Sequence, residues 1–226
     1  MEIDFDSFVL AAATADLADE PDARDHADVV EFRMDLAEEP LAALERYDGE
    51  LPILATNRAA WEGGEYEGSD DERLADLATA AEHEAVAAVD VELASIRDGD
   101  ADDVLATADD HGVRVVASAH DFEGTPDEIE LMDTLSTACE RADVGKLAVT
   151  AESRADTLAL LAVTHRLASD GKQVATMAMG EAGSHTRAVA PVYGSCIGYA
   201  PVDPAEATAP GQYDLETLAT LVDRLE

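Results

Sequence analysis

Lys146 is one of only two lysines in 226 residues, and it stands inside the apolar run Val144-Gly145-Lys146-Leu147-Ala148-Val149. Taking an ammonium out of water favours the neutral amine, the form that attacks a carbonyl, so a lysine in this setting reads as a candidate Schiff-base nucleophile. The competing reading is a strand-end lysine in a structural ion pair with Glu31 or Asp35. Surrounding acid works against a neutral amine, so Arg33, Arg58 or Arg187 would have to oppose it locally. His120 closes the preceding apolar run, RVVASAH. Its imidazole titrates near neutrality, which makes it the natural general base beside that amine. Glu31, Arg33 and Asp35 alternate along one segment and project to the same side, where three charges must pair or bind something. Arg58 ends another run and leads into the flexible turn Trp61-Glu62-Gly63-Gly64. Beyond Met179, two glycines precede Arg187, a side chain able to clamp a carboxylate through two parallel hydrogen bonds. No His, Asp and Glu cluster has metal-ligand spacing, so no metal is expected, and His26, His83, His111, His165 and His185 read as surface residues.

Eight apolar runs of strand length carry these residues: Phe8–Thr14, Val29–Asp35, Pro52–Arg58, Ala88–Leu93, Arg114–His120, Val144–Thr150, Gln173–Met179 and Ser195–Ala200. Between them, segments such as Ser69–Glu84, Pro126–Arg141, Ser153–Ser169 and Asp214–Leu225 place Leu, Ala and Val on one face and acids on the other, as surface helices do. Ser69 with Glu72, Thr125-Pro126 with Glu128, and Ser153 with Asp156 mark helix starts. Strands that are nearly continuously apolar suit a parallel sheet covered by helices. Eight short strand–helix units with no Pro/Gly/Ser-rich linker predict one compact (β/α)₈ barrel over residues 1–226, with its active face at the strand ends that lead into helices. The other fold considered, an open doubly wound sheet, lacks its Gly-rich phosphate turn after the first strand, where Leu17-Ala18-Asp19-Glu20 follows.

The chain has 51 acidic and 14 basic residues, a formal net charge of −37, with 12 Arg and 44 Ala. Such a field repels phosphate, which excludes a general nucleic-acid or anionic-membrane binder. It suits a protein that stays hydrated in molar salt, where screening shortens the Debye length to about 3 Å. Cys139 and Cys196 fit neither a metal spacing nor a short-range disulfide and are expected as buried thiols in a reducing compartment. No segment has the length and apolarity of a membrane span, and Met1-Glu2-Ile3-Asp4 lacks a basic signal-peptide start, so a cytoplasmic protein is expected.

Six motifs occur in order at these strand ends. They are E-x-R-x-D at Glu31–Asp35, R-x-x-x-E-G-G at Arg58–Gly64, H-D-F-x-x-T-P at His120–Pro126, the lysine Lys146, M-x-M-G-x-x-G-x-x-x-R at Met177–Arg187, and A-P-G-Q at Ala209–Gln212. Together, from about Val29 to Gln212, they resemble type I 3-dehydroquinate dehydratase. The resemblance implies that Lys146 forms an imine with the 3-keto group, that His120 moves the C2 proton and protonates the departing C1 hydroxyl, and that Glu62 orients His120. It further implies that Arg187 binds the substrate carboxylate and that Gln212 and Thr208 close a loop over the site. Glu31, Arg33 and Arg58 would hold ring hydroxyls and carboxylate, with Met177, Met179 and Tyr199 as apolar walls. No cofactor is implied, and a homodimer is. Thr208 stands where Ser is common, Glu181 where Lys is common and Tyr199 where Phe is frequent. The seven residues before Phe8 leave no room for the hairpin that seals the barrel bottom in longer members, so other side chains are expected to seal it. A class I aldolase-like barrel would share the lysine but should carry a phosphate loop. A non-catalytic binding barrel would not require Lys146 and His120 at neighbouring strand ends.

Overall fold

The computed structural model describes residues 1–203, 205 and 211–225. Its strands are β1 (Val9–Thr14), β2 (Val29–Arg33), β3 (Ile53–Thr56), β4 (Val86–Glu92), β5 (Arg114–Asp121), β6 (Val144–Thr150), β7 (Val174–Met179) and β8 (Ile197–Pro201). The helices are α1 (Glu20–Ala23), α2 (Pro40–Glu45), α3 (Asp70–Ala81), α4 (Leu93–Asp98), α5 (Asp102–His111), α6 (Glu128–Arg141), α7 (Arg154–Ser169), α8 (Thr186–Val189) and α9 (Leu215–Leu225). The strands form one eight-stranded parallel sheet in the order β7-β6-β5-β4-β3-β2-β1-β8. A parallel bridge between Val174 and Ser195, with the Cys196 N–H donating to the Val174 carbonyl at 2.7 Å, joins the two ends. The result is a nearly closed (β/α)₈ barrel.

Both faces of the strands are covered, which is why they are mostly apolar, the exceptions being polar residues such as Glu31, Asp90, Ser118 and Lys146 on the inward face. Inside the barrel, Val9, Ala11, Leu54, Val116, Val144 and Ile197 form a buried cluster with Ile3 and Phe5. These last two side chains fill the barrel bottom. Outside, Leu74 and Leu77 of α3 and Val104 and Ala108 of α5 pack in a cluster with Val89 and Val91 of β4. Asp102, Asp103, Asp109 and Asp110 stay exposed on the far side of α5, so much of the negative charge there is solvated rather than structural.

Local capping follows the sequence at two helices and departs from it at one. Ser69 and Glu72 form a reciprocal capping box at α3, with the Ser69 N–H donating to Glu72 Oε2 at 3.0 Å. The Ser153 N–H donates to Asp156 Oδ2 at 2.8 Å before α7. At α6 the cap is Asp127, which accepts from the N–H groups of Ile129 and Glu130 at 3.0 and 3.1 Å, and not Thr125-Pro126. Thr125 is otherwise engaged, its hydroxyl donating to the Thr150 carbonyl at 2.8 Å. Strand β4 begins two residues earlier than its apolar run indicates, and β8 runs Ile197–Pro201 because Ser195 and Cys196 are used in closing the barrel.

Candidate active site

Register decides which side chains meet. Glu92 pairs in register with Ser118, and Ser118 with Lys146, while His120 pairs with Ala148. Alternation along β5 then puts Val116, Ser118 and His120 on the inward face, with His120 one layer closer to the mouth than Lys146. Lys146 is buried at 4% exposure, its Nζ 2.8 Å from Asp90 Oδ2, 3.8 Å from Glu31 Oε1 and 4.2 Å above the Tyr199 ring. The strong partner of the lysine is therefore Asp90. Glu31 is a distant second, and Asp35 is occupied elsewhere: it sits on the turn after β2 and binds Arg33 through two bonds of 2.9 and 2.7 Å.

Behind Lys146 runs an alternating chain of buried charges. Arg58 donates through Nη2 to Asp90 at 2.7 Å and through Nη1 to Glu92 at 3.0 Å and Ser118 Oγ at 2.7 Å. Glu92 in turn accepts from Arg73 Nη1 at 2.8 Å, and Arg73 Nε reaches Asp70 at the surface at 2.9 Å. Burial alone would raise Asp90, but Arg58 and Lys146 outweigh it and hold the carboxyl well below its usual range. Burial would lower Arg58, and Asp90 and Glu92 more than reverse that. Asp90, Glu92, Arg73 and Ser118 are absent from the sequence expectations. Asp90 and Glu92 alternate within an apolar run just as Glu31 and Arg33 do, and the same period-two reasoning finds them.

At the mouth, His120 Nδ1 lies 2.7 Å from Glu62 Oε2, and Arg58 Nη1 lies 3.8 Å from the same oxygen. Burial pushes Glu62 up to about 7, with Glu92 and Asp90 adding and Arg58 and Lys146 opposing. Burial and the nearby Arg58 and Lys146 hold His120 well below 6.5, against the pull of Asp90. The two groups titrate as a pair. With Glu62 ionised, Nδ1–H donates to it and Nε2 is left with a lone pair, the arrangement of an oriented general base. The Glu62 turn is fixed by glycine: Gly63 takes φ +80°, and a Cβ on Gly64 would collide with the Arg58 carbonyl.

These residues surround a pocket at the carboxyl ends of the strands. Glu31, Arg33, Arg58, Glu62, His120 and Lys146 line it together with Met177, Met179, Arg187, Tyr199 and Gln212. Thr208 lies outside the described residues. Arg187 is 5% exposed and makes no ion pair among the described residues, and burial holds it down, to about 10. A buried cation without a carboxylate is costly until an anion reaches it. Among the described residues no group of His, Cys, Asp and Glu is arranged to hold a metal ion, and no helix is long and apolar enough to cross a membrane.

A buried lysine, an oriented histidine and an uncompensated arginine at the mouth of a (β/α)₈ barrel define an enzyme acting on a small anionic carbonyl compound. Residues 7–225 match the model of the type I 3-dehydroquinase family, and the chain belongs to that family, whose activity is that of a hydro-lyase. It is 59% identical to the 3-dehydroquinate dehydratase of Haloarcula marismortui and 52% to that of Halobacterium salinarum, covering 99% of this chain in both cases and 99% and 100% of the relatives. Among solved structures, the type I 3-dehydroquinate dehydratase of Clostridium difficile with covalently modified comenic acid superposes with a TM-score of 0.87 at 26% identity, over 97% of this chain and 92% of that one. The family favours dehydration over the aldolase reading, and the haloarchaeal relatives fit a salt-adapted composition.

Proposed function

We propose that this chain dehydrates 3-dehydroquinate to 3-dehydroshikimate through an imine on Lys146, with residues 1–226 acting as one catalytic domain. The observation that carries the reading is the placement of Lys146 and His120 on the same inward face of adjacent strands, one layer apart, around one pocket. The covalent adduct in the Clostridium difficile relative supports covalent chemistry in this family.

The Lys146 ammonium passes one proton to His120 as its amine adds to the C3 carbonyl, and that proton returns as the carbinolamine loses water, leaving a protonated imine and a neutral His120. His120 Nε2 then removes the C2 proton, and the electron pair moves into the protonated imine, a better sink than the ketone. The resulting enamine expels the C1 hydroxyl, to which His120 returns its proton, so one histidine serves both transfers on the same face. Hydrolysis of the imine restores the amine, and the net loss is one water. Glu62 orients His120 and balances its charge while it holds the proton. Arg187 binds the carboxylate, Glu31, Arg33 and Arg58 hold the ring hydroxyls, and Met177, Met179 and the Tyr199 ring form the walls. Gln212, on the pocket wall, contacts the ligand. No cofactor takes part, and the substrate is the small-molecule partner.

The proposal includes a cytoplasmic location, which two free cysteines suit, and a homodimer, for which the exposed Val192 and Tyr193 beside α7 are the face to test. The kinetic test compares His120→Ala with Lys146→Met in high salt. His120→Ala is expected to lose at least 10²–10⁴-fold in kcat while retaining ligand binding. Turnover by Lys146→Met at near wild-type rate would overturn the imine.

A further inference from the structure

The barrel is laced unevenly between β7 and β8. The two strands meet at the Val174–Ser195 bridge, and further up β7 side-chain hydroxyls serve in place of the ladder. The Thr176 N–H donates to Ser195 Oγ at 3.0 Å and the Ala178 N–H to Thr186 Oγ1 at 2.9 Å. Beside them lies a small cavity of about 10 Å³, lined by Thr176, Met177, Arg187, Ser195, Ile197 and Tyr199 among others.

Two of its lining residues carry buried polar atoms without a partner among the described residues: Arg187 Nε and the Tyr199 hydroxyl. The residues are 5% and 4% exposed. A buried donor left unsatisfied is costly, and a cavity with room for about one water beside two such atoms lets that water make the missing bonds. The Tyr199 ring is also engaged, since Lys146 Nζ stands 4.2 Å from its centroid.

We propose that the Tyr199 hydroxyl is a positioning group for Arg187. One water in the slot between β7 and β8 accepts the Nε–H of Arg187 and hydrogen-bonds the Tyr199 hydroxyl, which fixes the guanidinium plane with its terminal nitrogens toward the pocket. The same ring packs against the Lys146 ammonium, so a single side chain sets the distance between the imine nitrogen and the carboxylate clamp. The inference rests on reading Arg187 as that clamp.

The test is a double-mutant cycle of Tyr199→Phe and Arg187→Lys, assayed on 3-dehydroquinate in high salt, with a crystal structure of the wild-type protein. Arg187→Lys is expected to raise KM by at least tenfold. Tyr199→Phe keeps the ring and is expected to raise KM about three- to tenfold, the size of one hydrogen bond, with kcat within about twofold. In the Arg187→Lys background, where the side chain has no Nε, Tyr199→Phe should add nothing, and the crystal should show one water bonded to both atoms. An unchanged KM in Tyr199→Phe beside a raised KM in Arg187→Lys overturns the proposal, as does an equal Tyr199→Phe effect in both backgrounds. An unchanged KM in Arg187→Lys overturns the clamp reading and the positioning role with it.

Discussion

Replacing Asp90 by Asn removes the carboxylate that Lys146, Arg58 and Ser118 share at 2.8, 2.7 and 2.6 Å. Arg58 keeps Glu92, but the nearest remaining carboxylate oxygen to Lys146 is Glu31 at 3.8 Å. Removing one partner of a buried pair costs about 3–5 kcal/mol because a cation is left behind, and for a chain of this length each kcal/mol is roughly 2–4 °C of Tm. The expected change is therefore a fall of about 6–20 °C, read by circular dichroism in molar potassium chloride. The pH dependence follows from sign. Asp90 is held well below its ordinary 3.8, so its stabilisation is fully present above that value and is lost only as the pH falls through the folded-state value. The gap between wild type and Asp90→Asn should stay flat from pH 8 to pH 5. A loss under about 1 kcal/mol, or a gap that closes between pH 7 and 5, would refute the assignment of Asp90 as the permanently ionised anchor.

Other outcomes follow from the same geometry. A limb near pH 7 in kcat/KM should belong to the His120–Glu62 pair and vanish in Glu62→Gln; a limb that persists places it elsewhere. Because the folded value of Glu62 lies above the unfolded 4.5, ionising it costs stability as the pH rises, so Glu62→Gln should gain on wild type between pH 5 and pH 8. Arg73→Met leaves Glu92 with Arg58 and the Ala59 N–H, and should cost about 3 kcal/mol in denaturant unfolding, whereas Arg73→Lys should recover part of it. Gly64→Ala, by driving the Arg58 and Glu62 segments apart, should lower kcat by more than about tenfold with little change in the cooperativity of unfolding. Dialysis into low salt should unfold the protein, and full stability there would remove salt adaptation as the reason for the charge.

The alternation of strands and helices is legible in the sequence because each strand is an apolar run and α3 and α7 begin with a Ser capping box. Lys146 stands out because lysine has been nearly eliminated from the rest of the chain. Asp90 and Glu92 escape notice because a strand that reads as apolar invites no search for charge, although their spacing is that of Glu31 and Arg33. Arg73 is hidden for a different reason. It sits among acids on a helix that looks solvated, and only the packing of α3 on the barrel brings it to Glu92, 19 positions away. Asp35 has the right period to share the face of Glu31, but β2 ends at Arg33 and the following turn carries it back onto that arginine. Thr125 and Asp127 are both capping residue types; Asp is the stronger of the two, and the Thr150 carbonyl, a tertiary partner, engages Thr125 instead. The slot between β7 and β8 has no local signature, since it depends on hydroxyls of Ser195 and Thr186 replacing a ladder.

If Lys146 carries the substrate as an imine, that bond can be trapped chemically. Borohydride added during turnover of 3-dehydroquinate in high salt would reduce that imine to a stable secondary amine, which peptide mass analysis locates to one residue. The expected result is a ligand-sized mass increase on the peptide containing Lys146, with activity lost in proportion. Continued turnover with Lys146 unmodified, or an adduct confined to Lys172, would contradict it.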